Sequence, residues 1–251
     1  MAETDLTLLG SAGDLDESAL RDLYGYPDQP DAWVRANFIA SVDGGATAEG
    51  VTGPLGGPGD RLIFNLLREC ADVIVVGAGT VRIEGYSGTQ LGVAARQRRQ
   101  DRGQHEVPPV AIVTRSGRLD RDMAVFNRTE VAPLVLTCTA AAKDLRRTLG
   151  GLCDVIDCSA GDPGWVDDAA MIAALAGRGL RRILTEGGPT LLDSFVRSNL
   201  LDELCLTIAP FLVGGAAGRI TSGPDQVLTR MRCTHILTDD AGYLYTRYVK
   251  G

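Results

Sequence analysis

The sequence has few of the residues on which metal sites and hydrolytic active sites depend. It contains only two histidines, and its six cysteines form no C-x-x-C pair. Because a zinc site needs three or four such ligands close together, we expect no metal centre. The sequence has no G-x-S-x-G segment, and Ser41-Val42-Asp43 has no histidine near it in the sequence. These absences argue against catalysis by an activated serine or cysteine.

Long apolar runs and a basic surface are missing too. No apolar run reaches the roughly 18 residues of a membrane span, and the first residues lack the basic start and apolar block of a signal peptide. We therefore expect a cytoplasmic protein with no membrane partner. The net charge is −7, and the densest basic segment is "ARQRRQDRG" at residues 95–103. We interpret this segment as a solvated surface loop, with a phosphate contact as the alternative, and expect no nucleic-acid partner.

What the sequence does contain is a regular alternation of apolar and amphipathic segments. Residues 1–30 are interpreted as an N-terminal extension with one short helix, capped by Asp14 or Asp16, and residues 31–251 as a single domain. Segments such as "WVRANFIAS", "DVIVVG" and "RRILT" have the composition of buried strands. Helical segments lie between them, among them "DRLIFNLLRECA", whose periodicity puts four apolar residues on one face: Leu62, Ile63, Leu66 and Leu67.

This alternation predicts an α/β fold. We expect a mostly parallel central sheet with helices on both faces and an antiparallel C-terminal edge. Ligands of such sheets bind outside the carboxyl ends of the strands. Four segments therefore compete for the site, "ASVDGG", "VVGAGTVR", "IVTRSGR" and "LTEGGPT", and each follows an apolar run directly.

The segment "LTEGGPT" suits a phosphate group. Gly187 and Gly188 leave the backbone N–H groups accessible, and the helix predicted to begin near Pro189 adds its positive end. Glu186 is expected to face the same cleft, where it would hydrogen-bond a polar heterocycle. The alternative is a glycine pair that only lets the helix fold back onto the sheet.

The segment "IVTRSGR" suits a phosphate monoester. Thr114, Arg115 and Ser116 place a guanidinium between two hydroxyls at a strand end, which would fit the 2′-phosphate that distinguishes NADPH from NADH. A plain surface turn is the alternative. Phosphate-binding strand ends without a nucleophile are typical of hydride transfer, in which the cofactor supplies the chemistry.

An ordered set of motifs resembles the pyrimidine reductase family of riboflavin biosynthesis, which has a dihydrofolate-reductase-like fold. The motifs read, in chain order, "ASVDG" (residues 40–44), "LLR" (66–68), "GAGTV" (77–81), "EGGPTLL" (186–192), "LLDEL" (200–204) and "IAPFLVGG" (208–215). The match extends over about residues 35–215, and its specificity lies in the order of the motifs.

The resemblance implies an NADPH-dependent reduction of a ribosylamino to a ribitylamino group on a pyrimidine 5′-phosphate. It also implies a homodimer. The residues expected near the cofactor are Thr80, Glu84, Thr114, Arg115, Ser116, Gly187, Gly188, Pro189, Thr190 and Leu191. Those expected near the substrate are Asn37, Thr52, Arg68 and Glu186.

This chain departs from the family pattern in three ways. Asn37 stands on the first strand where many members have lysine, although other branches also carry asparagine there. The zinc deaminase motifs that some members carry are missing, so no deamination is expected. The family's Asp-Asp-Pro-x-Leu-Thr-x-Arg, whose arginine helps to hold substrate, is replaced by "RIEGYSGTQL" at residues 82–91. The substrate phosphate therefore lacks an expected partner, unless "ARQRR" supplies one.

Two further functions stay open at the level of the sequence. A carboxylate at Glu186 facing a pterin-like ring would suit a dihydrofolate reductase-like enzyme, because the two substrates share a pyrimidinone edge. A non-catalytic nucleotide-binding or regulatory protein would keep the fold and the cofactor affinity without turnover.

Overall fold

The computed structural model describes residues 15–28 and 31–251. Nine strands form one sheet in the order β5-β4-β3-β2-β6-β1-β7-β9-β8. The strands are β1 Trp33–Ser41, β2 Val73–Gly77, β3 Val110–Val113, β4 Leu134–Thr137, β5 Asp154–Asp157, β6 Arg182–Thr185, β7 Glu203–Ala209, β8 Met231–Thr238 and β9 Leu244–Lys250.

The helices connect these strands across the two faces of the sheet. They are α1 Glu17–Leu23, α2 Pro58–Cys70, α3 Ala78–Glu84, α4 Val93–Asp101, α5 Ala124–Asn127, α6 Thr139–Thr148, α7 Asp168–Ala176 and α8 Pro189–Arg197, and a 3₁₀ helix spans Gly53–Leu55. Strands β1 to β7 pair in parallel, and β9 pairs antiparallel with β7 and β8. The predicted parallel sheet with an antiparallel C-terminal edge is confirmed.

The core lies on both faces of the sheet because helices cover the central strands on each face. In β2, Val73 and Val75 belong to the cluster that contains α7 and α8, whereas Ile74 and Val76 face α2, α3 and α6. All four side chains are fully buried. This alternation explains why the strand reads as a continuous apolar run.

The amphipathic face predicted for α2 is confirmed for three of its four residues. Ile63, Leu66 and Leu67 are buried, but Leu62 is 53% exposed. At 100° per residue, Leu62 lies roughly a quarter turn from the centre of the buried stripe, where it faces solvent.

The interpretation of residues 95–103 as a solvated loop is wrong, because most of this segment belongs to α4. Arg98 forms an ion pair with Glu69 through two bonds of 2.8 Å. Arg99 is fully buried and donates to the carbonyl oxygens of Glu69 and Ala71 at the end of α2. The last carbonyls of a helix have no partner within it, so this buried arginine satisfies groups that burial would otherwise leave unpaired.

Residues 15–28 contact the domain through a buried charge cluster. Asp16 caps α1 by accepting from the Ala19 N–H at 2.8 Å, whereas the alternative cap, Asp14, lies outside the described residues. Arg35 donates to the Tyr24 carbonyl oxygen at 2.7 Å and forms an ion pair with the buried Glu203. No helix in the described part of the chain is both long and apolar enough to cross a membrane.

Candidate active site

A cleft of about 370 Å³ lies where the central parallel strands end. In the sheet, β6 lies between β1 and β2. The chain segments that follow β2 and β6 therefore meet beside the exposed part of β1. The cleft has the size of a small-molecule site and lies at the edge of the sheet where α/β proteins bind ligands.

Most of the predicted substrate and cofactor residues line this cleft. The lining includes Asn37, Thr52, Thr80, Glu84, Glu186, Gly187, Gly188 and Pro189. These residues are far apart in the sequence, and the parallel topology brings them together. Thr52 and Glu84 are in direct contact, because the Thr52 N–H donates to Glu84 Oε1 at 3.1 Å.

The glycine pair after β6 is required by close packing against α3. A Cβ built on Gly188 would lie 2.6 Å from Thr80 Oγ1, and one on Gly187 would lie 3.3 Å from Thr80 Cγ2. Gly187 has a φ of 132°, which favours glycine, and its carbonyl accepts from the Gly77 N–H at 2.7 Å. Packing of the protein against itself thus accounts for both glycines. Their backbone also forms the wall of the cleft.

Glu186 is held by two donors at the back of the cleft. Arg68 donates through Nε to Oε1 at 2.7 Å and through Nη2 to Oε2 at 2.6 Å, and the Tyr86 hydroxyl donates to Oε2 at 2.9 Å. The Glu186 side chain is 1% exposed and that of Arg68 15%. Such a bidentate pair fixes the orientation of the carboxylate.

Burial and the charges of this cluster shift the pKa values of Arg68 and Tyr86. Burial, and then the neighbouring Glu186 carboxylate, raise the pKa of Tyr86 well above its usual value. Burial lowers the pKa of Arg68, but the Glu186 carboxylate outweighs that effect and raises it overall. Arg68 therefore stays a cation and Tyr86 a hydrogen-bond donor at physiological pH.

Arg68 is not among the residues that line the cleft, although substrate contact was expected of it. Its guanidinium lies 4.1 Å from the centre of the Phe64 ring and 5.7 Å from that of Tyr86. It thus packs near the faces of two aromatic side chains beside Glu186. Phe64 and Tyr86 both line the cleft, although neither was expected from the sequence to be a site residue.

The predicted phosphate-binding segment after β3 lines a different cleft. Arg115 and Ser116 border a space of about 440 Å³ together with Arg118, and Arg115 lies 4.8 Å over the Trp165 ring. Thr114 is buried, and its hydroxyl accepts from the Gly117 N–H at 3.1 Å.

A third cleft, of about 680 Å³, adjoins the other two. Tyr86 lines both this third cleft and the central cleft. Arg118 lines both the third cleft and the cleft after β3. The three spaces are therefore neighbours that share lining residues.

The remaining predicted residues lie on α8. Gly188 is its N-cap, and no side chain caps this end. Thr190 is exposed and Leu191 buried, and neither lines the central cleft.

Comparison with known proteins identifies the family. The model of the RibD C-terminal domain matches residues 32–245. The chain belongs to this family. The expected resemblance to the pyrimidine reductases of riboflavin biosynthesis is thereby confirmed.

Named relatives match this RibD-type domain over nearly their whole length. A 2,5-diamino-6-ribosylamino-4(3H)-pyrimidinone 5′-phosphate reductase from Archaeoglobus fulgidus is 26% identical over 215 residues, which are 85% of this chain and 96% of the relative. The protein of the same name from Methanothermobacter thermautotrophicus is 29% identical over 227 residues, which are 87% of this chain and 99% of the relative.

Solved structures confirm the dihydrofolate-reductase-like fold of the RibD-type domain. A pyrimidine reductase-like protein from Corynebacterium diphtheriae superposes with a TM-score of 0.76 at 28% identity, covering 88% of this chain and 92% of that one. The riboflavin biosynthesis reductase Rib7 from Saccharomyces cerevisiae superposes with a TM-score of 0.67 at 16% identity, covering 92% of this chain and 95% of that one. At this identity the likeness concerns the fold alone.

The segment that departs from the family pattern provides Tyr86. Helix α3 ends at Glu84, and Gly85 follows in the left-handed conformation with a φ of 66°. The turn directs Tyr86 to Glu186, which lies 100 residues further along the chain. An unexpected tyrosine in a glycine-containing turn beside the expected carboxylate was the only signal of this contact in the sequence.

Proposed function

We propose that this protein is an NADPH-dependent reductase of a ribosylaminopyrimidine 5′-phosphate, converting its ribosylamino group to a ribitylamino group. The observation that carries the proposal is the central cleft, where Asn37, Thr52 and Glu186 converge with the glycine-rich backbone after β6. The names of the relatives from Archaeoglobus fulgidus and Methanothermobacter thermautotrophicus support this substrate class.

The cofactor part of the proposal rests on the fit between the strand ends and a phosphorylated dinucleotide. Gly188 precedes α8 as its N-cap, without a side-chain cap. Pro189 has no N–H and Leu191 donates to the Gly188 carbonyl at 3.0 Å, so within the described residues the Thr190 N–H is the first-turn donor that remains available to an anion. Arg115 and Ser116, with Arg118 beside them, would hold the 2′-phosphate of NADPH. When bound, the nicotinamide supplies the hydride that reduces C1′ of the open imine form of the substrate.

The chain's own part in the reaction is to bind and orient the pyrimidine. Oε2 of Glu186 accepts from both Arg68 and Tyr86, whereas Oε1 accepts from Arg68 alone. A carboxylate oxygen accepts two hydrogen bonds, so Oε1 keeps one for an N–H of the heterocycle. Because the cluster fixes this oxygen in advance, the ring would be oriented without reorganisation of the site.

The experiment that tests the proposal follows the absorbance of the reduced nicotinamide. The purified protein is given NADPH or NADH together with 2,5-diamino-6-ribosylamino-4(3H)-pyrimidinone 5′-phosphate, its deaminated 2-oxo form, or dihydrofolate. We expect oxidation of NADPH with a ribosylaminopyrimidine phosphate. Oxidation with dihydrofolate alone would contradict the substrate, and cofactor binding without turnover would indicate the non-catalytic alternative.

The preference for NADPH has its own test. Arg115→Ala should weaken NADPH binding much more than NADH binding, because only NADPH carries the 2′-phosphate. Arg147→Ala is the matched control, since Arg147 is an exposed residue whose partner is Asp144. Equal loss for both cofactors in Arg115→Ala would contradict the assignment of this segment.

A homodimer is part of the same proposal. Phe211, Leu212 and Leu228 are large apolar residues that are exposed in the chain, with Leu212 80% exposed. Phe211 and Leu212 are adjacent in the sequence, and adjoining apolar side chains on a surface often mark a contact with another protein. Sedimentation equilibrium of the purified protein tests this expectation, and a single monomeric species at micromolar concentration would contradict it.

A further inference from the structure

The central cleft contains little positive charge. Asp60, Arg61, Glu84 and Glu186 are its charged lining residues, so Arg61 is the only cation among the described residues that line it. Arg68 is committed to Glu186 and is shielded from the cleft. A phosphate monoester bound in this cleft would therefore meet one cationic side chain.

Arg61 is available for such a contact. It lies in the first turn of α2, its side chain is exposed, and it forms no ion pair within the described residues, 15–28 and 31–251.

The position of Arg61 is fixed by its helix. A Cβ on Gly57 would lie 2.9 Å from the Tyr243 ring, and one on Gly59 would overlap the Tyr245 hydroxyl. The start of α2 thus packs directly on Tyr243, which precedes β9, and on Tyr245 within β9. The Arg61 backbone N–H is bound to the Gly57 carbonyl at 3.1 Å. Because the backbone at Arg61 is already held in place, binding a ligand costs little backbone entropy.

The other arginines that were candidates for this role are engaged elsewhere. In α4, Arg96 pairs with Glu130, Arg98 pairs with Glu69, and Arg99 is buried against backbone carbonyls. None of the three lines the central cleft. The expectation that "ARQRR" supplies the missing phosphate partner is therefore not supported.

The geometry points to Arg61 as the residue that binds the 5′-phosphate of the substrate, in place of the arginine that the segment 82–91 has lost. This inference rests on the proposed function. Its physical reason is that guanidinium and phosphate form charge-assisted, bidentate hydrogen bonds, which are much stronger than contacts to the neutral hydroxyls of the cleft.

The test compares one ligand with and without its phosphate. Dissociation constants of 2,5-diamino-6-ribosylamino-4(3H)-pyrimidinone and of its 5′-phosphate are measured by calorimetry with protein saturated with oxidised NADP. The variants are Arg61→Gln, Arg61→Lys and the surface control Arg147→Gln. Circular dichroism checks that each variant is folded.

We expect the unaltered protein and Arg147→Gln to bind the phosphorylated form at least about tenfold more tightly. Arg61→Gln should lose about tenfold to a hundredfold in affinity for the phosphate form and nothing for the riboside. Arg61→Lys should keep part of the preference, because it keeps the charge. A preference that survives in Arg61→Gln, or no preference in the unaltered protein, would overturn the inference.

The same measurements separate this inference from the proposed function. Turnover decides the function, whereas the ratio of the two dissociation constants decides the role of Arg61. Oxidation of NADPH with an Arg61→Gln variant that keeps its phosphate preference would refute Arg61 and leave the reductase standing. If the protein turns over neither the riboside nor its 5′-phosphate, but Arg61→Gln loses the preference for the phosphate, the proposed function is refuted and the role of Arg61 is supported.

Discussion

Replacing Arg68 by methionine would expose how far the cleft depends on its buried ion pair. Methionine keeps much of the apolar volume beside Phe64 but removes both hydrogen bonds to Glu186, of 2.7 and 2.6 Å. Glu186 would then be a buried carboxylate with only the Tyr86 hydroxyl as donor. Breaking a buried pair from one side costs about 3–5 kcal/mol. Because one donor remains, we expect the free energy of unfolding to fall by about 3 kcal/mol.

Urea denaturation at pH 7 measures this loss. Arg147→Met is the matched control, because Arg147 and Asp144 are an exposed pair with side chains 74% and 75% exposed. Its cost should be below about 1 kcal/mol. Adding Glu186→Gln to Arg68→Met should recover part of the loss by removing the buried charge. A deficit below about 1 kcal/mol for Arg68→Met would refute the reasoning.

Three other changes test separate parts of the structure. Tyr86→Phe removes one donor to the cleft carboxylate, so the KM for the pyrimidine should rise about tenfold while the KM for NADPH stays unchanged; a parallel rise in both would contradict this. Gly188→Ala should lower the free energy of unfolding by about 1–3 kcal/mol, because its Cβ would meet Thr80, whereas the control Gly79→Ala has open space within α3 and should leave it unchanged or raise it by up to about 1 kcal/mol. Similar urea midpoints for the two would be inconsistent with the packing argument. Hydrogen bonds from a neighbouring hydroxyl and from two backbone N–H groups lower the pKa of Asp43 to about 2. This contribution is present above the unfolded pKa of about 3.9 and is lost as the pH falls toward 2, so the melting temperature of Asp43→Asn should fall less on acidification than that of the unaltered protein.

The strands and most helices were predictable because burial imposes a period on local sequence. Continuous apolar runs became the central strands, and the i, i+3, i+4 pattern of α2 became its buried face. Helix α4 was not predictable in this way. Its stability comes from contacts of Arg98 and Arg99 with the end of α2, about thirty residues earlier in the chain. A local window contains neither partner, so the basic composition was taken for a solvated loop.

The sequence alone determined which strand ends would carry polar residues and, through the order of its motifs, the family to which the chain belongs. Only the tertiary structure decided how those residues are used. It placed Arg68 behind Glu186 instead of in the cleft, bound Tyr86 to the same carboxylate, and left Arg61 as the cation that lines the cleft. The physical reason is range: hydrophobic periodicity acts between residues that are near in sequence, whereas ion pairs and buried hydrogen bonds join side chains that meet only after the sheet has formed.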